Sequence, residues 1–207
     1  MAKVDYKKAC KELYSAKTAP ALVNVPALPF IMIDGQGDPQ AEDYQQAVAL
    51  LYTLSYCLKM KGKDLAGYFD YVVPPLESLW WHDASADWQQ REAWHWTAMI
   101  RQPEFVTPAA FEWAAGVCRQ KKPQLPYSLS RLETFTEGLC VQAMHVGPYR
   151  DEPATVASIR AFIDANGLID MTGEVRKHHE IYLSDPHKTP PAKLNTVIRL
   201  PVASRQS

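Results

Sequence analysis

This sequence is poor in the residues that metal and redox chemistry need. Cys10, Cys57, Cys118 and Cys140 are widely separated and make no C-x-x-C pair, which excludes the usual thiol redox motif and a zinc ribbon. They read as reduced core or helix residues, because a chain of this length needs no disulfides to hold its fold. Of six histidines only His178 and His179 are adjacent, and neighbours on a strand point to opposite faces, so no metal site is expected. The glycines Gly35, Gly37 and Gly147 fit neither the G-x-G-x-x-G nor the P-loop pattern, and tight turning accounts for them. No apolar run approaches the roughly 20 residues that span a bilayer. The N-terminal Met1 to Lys8 has no apolar signal-peptide core, and the expected location is cytoplasmic. Arg119, Lys121 and Lys122 form only a short basic cluster in a chain of net charge −1, so neither a nucleic-acid partner nor a membrane is expected.

What is present is an ordinary globular composition, 47% hydrophobic and 22% charged over 207 residues, and an apparent internal repeat. In the first half, Phe30-Ile31-Met32-Ile33 runs as a strand into the turn Asp34 to Pro39. A helix follows from about Gln40 to Lys61, with Tyr44, Ala47, Val48, Leu51, Leu54, Ser55 and Leu58 on one face. Tyr68 to Val73 and Leu76 to Trp81 then read as strands broken by Pro74-Pro75. A further strand, Trp94 to Arg101, leads to a helix that opens with Thr107 as N-cap and Pro108 at N1. In the second half the order recurs. Glu137 to Val146 is a strand, Gly147 to Pro153 the turn, and Ala154 to Asn166 a helix closed by Gly167. The strand around Glu180 and a last strand, Asn195 to Val202, complete it. Val4 to Thr18 reads as an irregular or short helical extension and Ala203 to Ser207 as a frayed tail. The expected fold class is α+β: one domain over residues 1–207, built from duplicated β-α-β-β units (about 20–125 and 130–203) related by a pseudo-two-fold. The units form an antiparallel sheet with helices on one side and leave a cleft between the halves.

The most informative run is Lys177-His178-His179-Glu180-Ile181-Tyr182-Leu183-Ser184-Asp185-Pro186, because it places a carboxylate in the middle of a half-buried strand. Alternation puts His178, Glu180 and Tyr182 on one face and His179, Ile181 and Leu183 on the other. Withdrawing a carboxylate from water costs several kcal/mol unless it is paired or protonated, so packing alone does not select Glu there. A solvated sheet face, or a Lys or Arg on the next strand, would explain it equally well. Glu77, near the matching place in the first half, reads as a rim residue or a salt-bridge partner, since Pro75 displaces its register.

Trp80, Trp81, Trp88, Trp94, Trp96 and Trp113 make the middle of the chain dense in tryptophan. Trp94 and Trp96 share a strand face and can form a wall for a planar ligand, whereas Trp80 and Trp81 face opposite ways, so only one of that pair can line a pocket. Tyr71, ahead of the Pro74-Pro75 break, is expected on the pocket's opposite side.

Four stretches together carry a resemblance: Phe30 to Pro39, Pro74 to Trp81, Trp94 to Pro103, and His178 to Pro186. The chain resembles the stand-alone GyrI-like small-molecule-binding proteins, over about residues 30 to 186. That resemblance implies a duplicated β-α-β-β fold with an apolar, aromatic-lined pocket between the halves and one acid at its floor, and Glu180 is where that acid maps. Related domains serve multidrug-responsive transcription regulators, but the segment before the first strand is too short for a helix-turn-helix. Some stand-alone members hydrolyse the cyclopropane of DNA-alkylating antibiotics. On this reading the protein is a cofactor-independent hydrolase or sequestering protein for hydrophobic aromatic xenobiotics. Glu180 is the catalytic base, and Tyr71, Trp80, Trp94, Trp96, Tyr149, His178 and Tyr182 contact the substrate. The alternative is a non-catalytic binding module, or one that binds a protein in the manner of a gyrase inhibitor. A homodimer is compatible with either.

Overall fold

The computed structural model describes residues 3–83, 89–173 and 175–205. Trp88 lies outside the described residues. Two four-residue helices, α1 (Tyr6–Ala9) and α2 (Lys11–Tyr14), precede β1 (Ala21–Gln36) and α3 (Glu42–Lys61). Then come β2 (Leu76–His82), β3 (Trp94–Arg101) and α4 (Pro108–Arg119). The second half comprises β4 (Ser130–Val146), α5 (Glu152–Ala165), β5 (Leu168–Asp170), β6 (His178–Tyr182) and β7 (Asn195–Ser204).

The α+β fold is antiparallel throughout its sheet. The strands follow the order β4-β1-β3-β2-β6-β7, and a further β4–β7 pairing closes them into a six-stranded ring, with β5 added beside the end of β7. The pairing is symmetric about the two halves. β1 pairs with β3 as β4 pairs with β7, β2 with β3 as β6 with β7, and the halves meet at β1–β4 and β2–β6. The long helices α3 and α5 pack on the outside of the sheet, α3 against β1 and β3, α5 against β4, β5 and β7. Closure removes open edges from the ring, which an antiparallel sheet otherwise has to protect. Two apolar cores result. The larger joins α3, α4, the first-half strands and Tyr6, Leu13 and Tyr14, and the smaller joins α5 to β4 and β7.

Three local expectations need correction. β1 begins at Ala21, well before Phe30, and contains Pro26 and Pro29. Both lie where β1 has β4 as its neighbour and has not yet met β3, whose pairing starts at Phe30, so a missing N–H is tolerated. Tyr68 to Val73 forms no strand; Tyr71 makes a single bridge to Val4 and the rest is irregular. The expected tail is strand as far as Ser204, because β5 pairs with Ala203 and Ser204. No helix among the described residues is long and apolar enough to cross a membrane.

Candidate functional site

Register between β2 and β6 sets Ser78 opposite Glu180 and Trp80 opposite His178. Register between β2 and β3 sets Trp96 beside Trp80. These residues share the outward face of the sheet, beneath the start of α3 and the turn that leads into α5. The carboxylate of Glu180 is held at both oxygens. His178 Nε2 lies 3.1 Å from Oε1, and the Tyr182 hydroxyl donates to Oε2 at 2.8 Å. The Tyr182 oxygen in turn accepts from Trp80 Nε1 at 3.1 Å. Tyr44 of α3 bonds Ser78 across 2.8 Å and packs against Trp80 and Trp96, at ring separations of 5.4 and 5.1 Å. Trp94 stands edge-on to Trp80 at 5.6 Å and Tyr149 edge-on to Tyr182 at 5.9 Å. Edge-to-face packing of this kind fixes the rings relative to one another, with Trp80 and Trp96 buried and Tyr149 at the surface.

Gly35 makes the arrangement sterically possible. A Cβ there would stand 2.2 to 2.8 Å from three carbons of the Trp96 indole, so only glycine lets that ring lie flat against β1.

A second carboxyl completes the site. Glu152, at the start of α5, lies within hydrogen-bonding reach of Glu180. Burial, reinforced by the charge of Glu180 and the bond to it, pushes the Glu152 carboxyl up to about 9. The pair is therefore disposed to hold one proton between its two carboxyls near neutrality. Burial, followed by the charge of Glu180, also holds the Tyr182 phenol well above its ordinary value, so it remains a donor. Tyr149 is raised to about 12 by burial and then by the charges of Glu152 and Glu180. The site thus sets two carboxyl groups within hydrogen-bonding reach of one another among aromatic rings.

The inward face of the same strand is a different environment. His179, 1% exposed, sits between Glu77 and Glu137, both at 3.0 Å. Arg199 Nη1 reaches Glu137 at 2.7 Å, and the Arg199 fork also bonds Gln142 and the Leu13 carbonyl. Tyr14 donates to Glu77. Burial opposes the charge of Glu137, but His179 and Arg199 outweigh it and hold its carboxyl down to about 2. Burial likewise opposes the charge of His179, yet Glu137 and Glu77 hold its imidazole up to about 9. Two anions and two cations balance here, and a cavity of about 10 Å³ beside them has room for one water at most. Glu77 is thus a salt-bridge partner, the second of the two readings its sequence offered, and it lies inside the ring of strands rather than at the rim.

Of the residues expected to form a site, Trp80, Trp94, Trp96, Tyr149, His178 and Tyr182 gather around Glu180. Tyr71 does not join them. It is fully buried, and its ring packs against Phe69 and Phe105 while its hydroxyl donates to the Ser55 carbonyl. Trp81 faces the other way, stacked on His95 at 5.5 Å with Lys177 Nζ 4.2 Å from its ring centre. Those three line an open depression of about 430 Å³ with Asp34 and Arg131. Sequence reasoning missed Glu152, Ser78 and the part played by Tyr44. The acidic residue two places after Tyr149-Arg150 was the one signal for Glu152. No group of three or more His, Cys, Asp or Glu among the described residues could hold a metal ion.

A closed antiparallel ring built from two β-α-β-β halves, with an acid among aromatic rings where the halves meet, defines a class of small-molecule-binding protein. Residues 18–203 match the GyrI-like small molecule binding domain, and the chain belongs to that family. Its structure is similar to that of an uncharacterised conserved protein from Listeria innocua, with 49% identity and a TM-score of 0.94, covering 97% of this chain and 100% of that one. It is also similar to a hydrolase from Listeria innocua, with 48% identity and a TM-score of 0.90, again covering 97% and 100%. The EcmrR C-terminal domain shares the fold alone, with 13% identity and a TM-score of 0.54 over 90% of this chain and 98% of that one. No curated protein shows significant similarity to the chain.

Proposed function

We propose that the protein is a cofactor-independent hydrolase of aromatic xenobiotics that opens the cyclopropane of DNA-alkylating compounds. The observation that carries this reading is the unequal carboxyl pair: Glu180 held at both oxygens by Tyr182 and His178, with Glu152 beside it pushed toward its protonated form by burial and by the charge of Glu180. Opening a cyclopropane conjugated to a carbonyl forms one C–O bond to water and breaks one ring C–C bond. The electron pair of the broken bond passes to the carbonyl oxygen. Glu180 takes the proton that the attacking water loses, and Glu152 gives its proton to the oxygen that receives the electrons. The two carboxyls then re-equilibrate the proton between them, so the cycle closes without a cofactor. Trp94 and Tyr149, the accessible rings, hold the flat part of the substrate, and the buried Trp80 and Trp96 back them, which supplies the orientation the step requires. Two similar structures at 48% identity are those of hydrolases, which supports an enzyme over a passive binder.

The test is turnover in isotopic water. Protein is incubated in H₂¹⁸O with about a hundredfold excess of a cyclopropane-bearing alkylator. The expected product is the ring-opened alcohol with one ¹⁸O, in many copies per protein. Saturable quenching of tryptophan fluorescence with intact compound recovered would instead support the binding module.

A further inference from the structure

Two carboxyls facing one another do not by themselves decide which holds the proton, and the surroundings of Glu152 and Glu180 are unequal in a way that does. An indole nitrogen only donates, so in the 3.1 Å contact between Trp80 Nε1 and the Tyr182 oxygen the phenol must accept. The Tyr44 hydroxyl is a third neighbour of that oxygen, and the phenol hydrogen is directed to the carboxylate oxygen Glu180 Oε2, 2.8 Å away. The chain indole to phenol to carboxylate has one direction whatever the rotor of the hydroxyl would otherwise prefer. Trp80 is 4% exposed and wedged between Tyr44 and Trp94, so it cannot swing away. Glu152 receives nothing comparable: its Oε1 is buried without a partner among the described residues.

We propose that Trp80 is a positioning residue, whose indole N–H orients the Tyr182 hydroxyl toward Glu180 and so assigns the shared proton to Glu152. This deepens the reading of Glu180 as base and Glu152 as acid, and it rests on that reading. The titratable groups that face the pair are His178 and Tyr182 on β6, Tyr149 in the turn before α5 and Tyr44 on α3. None of the three tyrosines carries charge at neutral pH, so two contacts distinguish Glu180 from Glu152: His178 Nε2 at Oε1 and the donor chain through Tyr182 at Oε2. A donor already polarised by another donor is a stronger one, and donation to the charged form stabilises it.

The experiment follows carboxyl ¹³C signals in protein labelled at glutamate, assigned with Glu152→Gln and Glu180→Gln. Wild type is expected to show Glu180 as carboxylate and Glu152 as acid at pH 7. Trp80→Phe keeps a ring in the stack and removes the N–H. It should shift the pair's proton toward Glu180 by about 3- to 10-fold, the scale of one hydrogen bond. Tyr182→Phe should do at least as much, and the double variant no more than Tyr182→Phe alone, because Trp80 acts only through Tyr182. An unmoved Glu180 signal in Trp80→Phe, or effects that add in the double variant, would overturn the proposal while leaving the base assignment intact. Glu180 found protonated in wild type would instead overturn the base assignment itself. A second readout needs no Trp80 variant: the indole ¹⁵N resonance of Trp80 should move in Tyr182→Phe, and its staying put would also count against the proposal.

Discussion

The two faces of β6 place a histidine and a glutamate in opposite electrostatic conditions one residue apart. Inward, His179 is pinned between Glu77 and Glu137, and Arg199 supplies a second cation. Outward, Glu180 has donors at both oxygens and a carboxyl as its neighbour. The inner groups are the more deeply buried, His179 1% and Glu77 2% exposed against 15% for Glu180, yet it is the inner groups that hold full charge, because their charges are balanced. A buried carboxylate matched by cations is held at low energy and is inert, whereas one set beside a second carboxyl keeps a proton that can be moved.

The comparison breaks most visibly at Arg199. Arg199→Met leaves the Glu137 charge buried with His179 as its remaining cation, and should destabilise the fold by about 3–5 kcal/mol; equilibrium urea unfolding measures it. A loss under about 1 kcal/mol would mean the inner cluster is hydrated and unlike the account given of it. Next comes Gly35→Ala, whose methyl must displace the Trp96 indole, at a cost of about 1–3 kcal/mol and a changed tryptophan emission.

The pH dependence of stability sharpens the contrast between faces. His179 is raised from its ordinary value to about 9 in the fold, so its contribution is fully present below about 6.5 and fades as pH rises through about 9. Glu137 is lowered to about 2, so its contribution is present above about 4.5 and fades as pH falls through about 2. Glu152, raised to about 9, makes no such contribution. Its burial costs stability increasingly between about pH 4.5 and 9, because the unfolded chain would ionise it. Thermal midpoints should therefore decline from pH 6.5 to 9. Glu152→Gln should raise the midpoint at pH 8 by a few degrees and make the decline shallower. A midpoint lowered by Glu152→Gln would contradict the cost assigned to that carboxyl.

Much of this was legible in local pattern. Period-two alternation gave the shared face of His178, Glu180 and Tyr182, and the same parity put Trp94 with Trp96 and separated Trp80 from Trp81. Thr107 and Gly167 marked helix ends because capping chemistry is local: Thr107 Oγ1 does accept from Ala110 N, and Gly167 has φ +64°. Closure of the ring was not legible, since it depends on β4 meeting β7 and β2 meeting β6 across long stretches of chain. Pro26 and Pro29 hid the first half of β1, since proline usually ends a strand and only the absence of a second neighbour excuses it. Glu152 went unread as a site residue because the pattern sets it in the polar turn Gly147 to Pro153, whereas the helix in fact begins at Glu152 itself. Tyr71 was read into a strand that does not form. His179 was placed only on the face opposite Glu180, and the ion network it joins draws partners from β2, β4 and β7, which sequence order does not bring together.

The most direct measurement is single-turnover and steady-state hydrolysis of a cyclopropane-bearing alkylator by wild type and Glu180→Gln, with ligand affinity measured in parallel. The account predicts that the variant loses at least about 10²-fold in turnover while its affinity stays within a few-fold. Turnover undiminished in Glu180→Gln would contradict it, and would move the chemistry away from the outward face of β6.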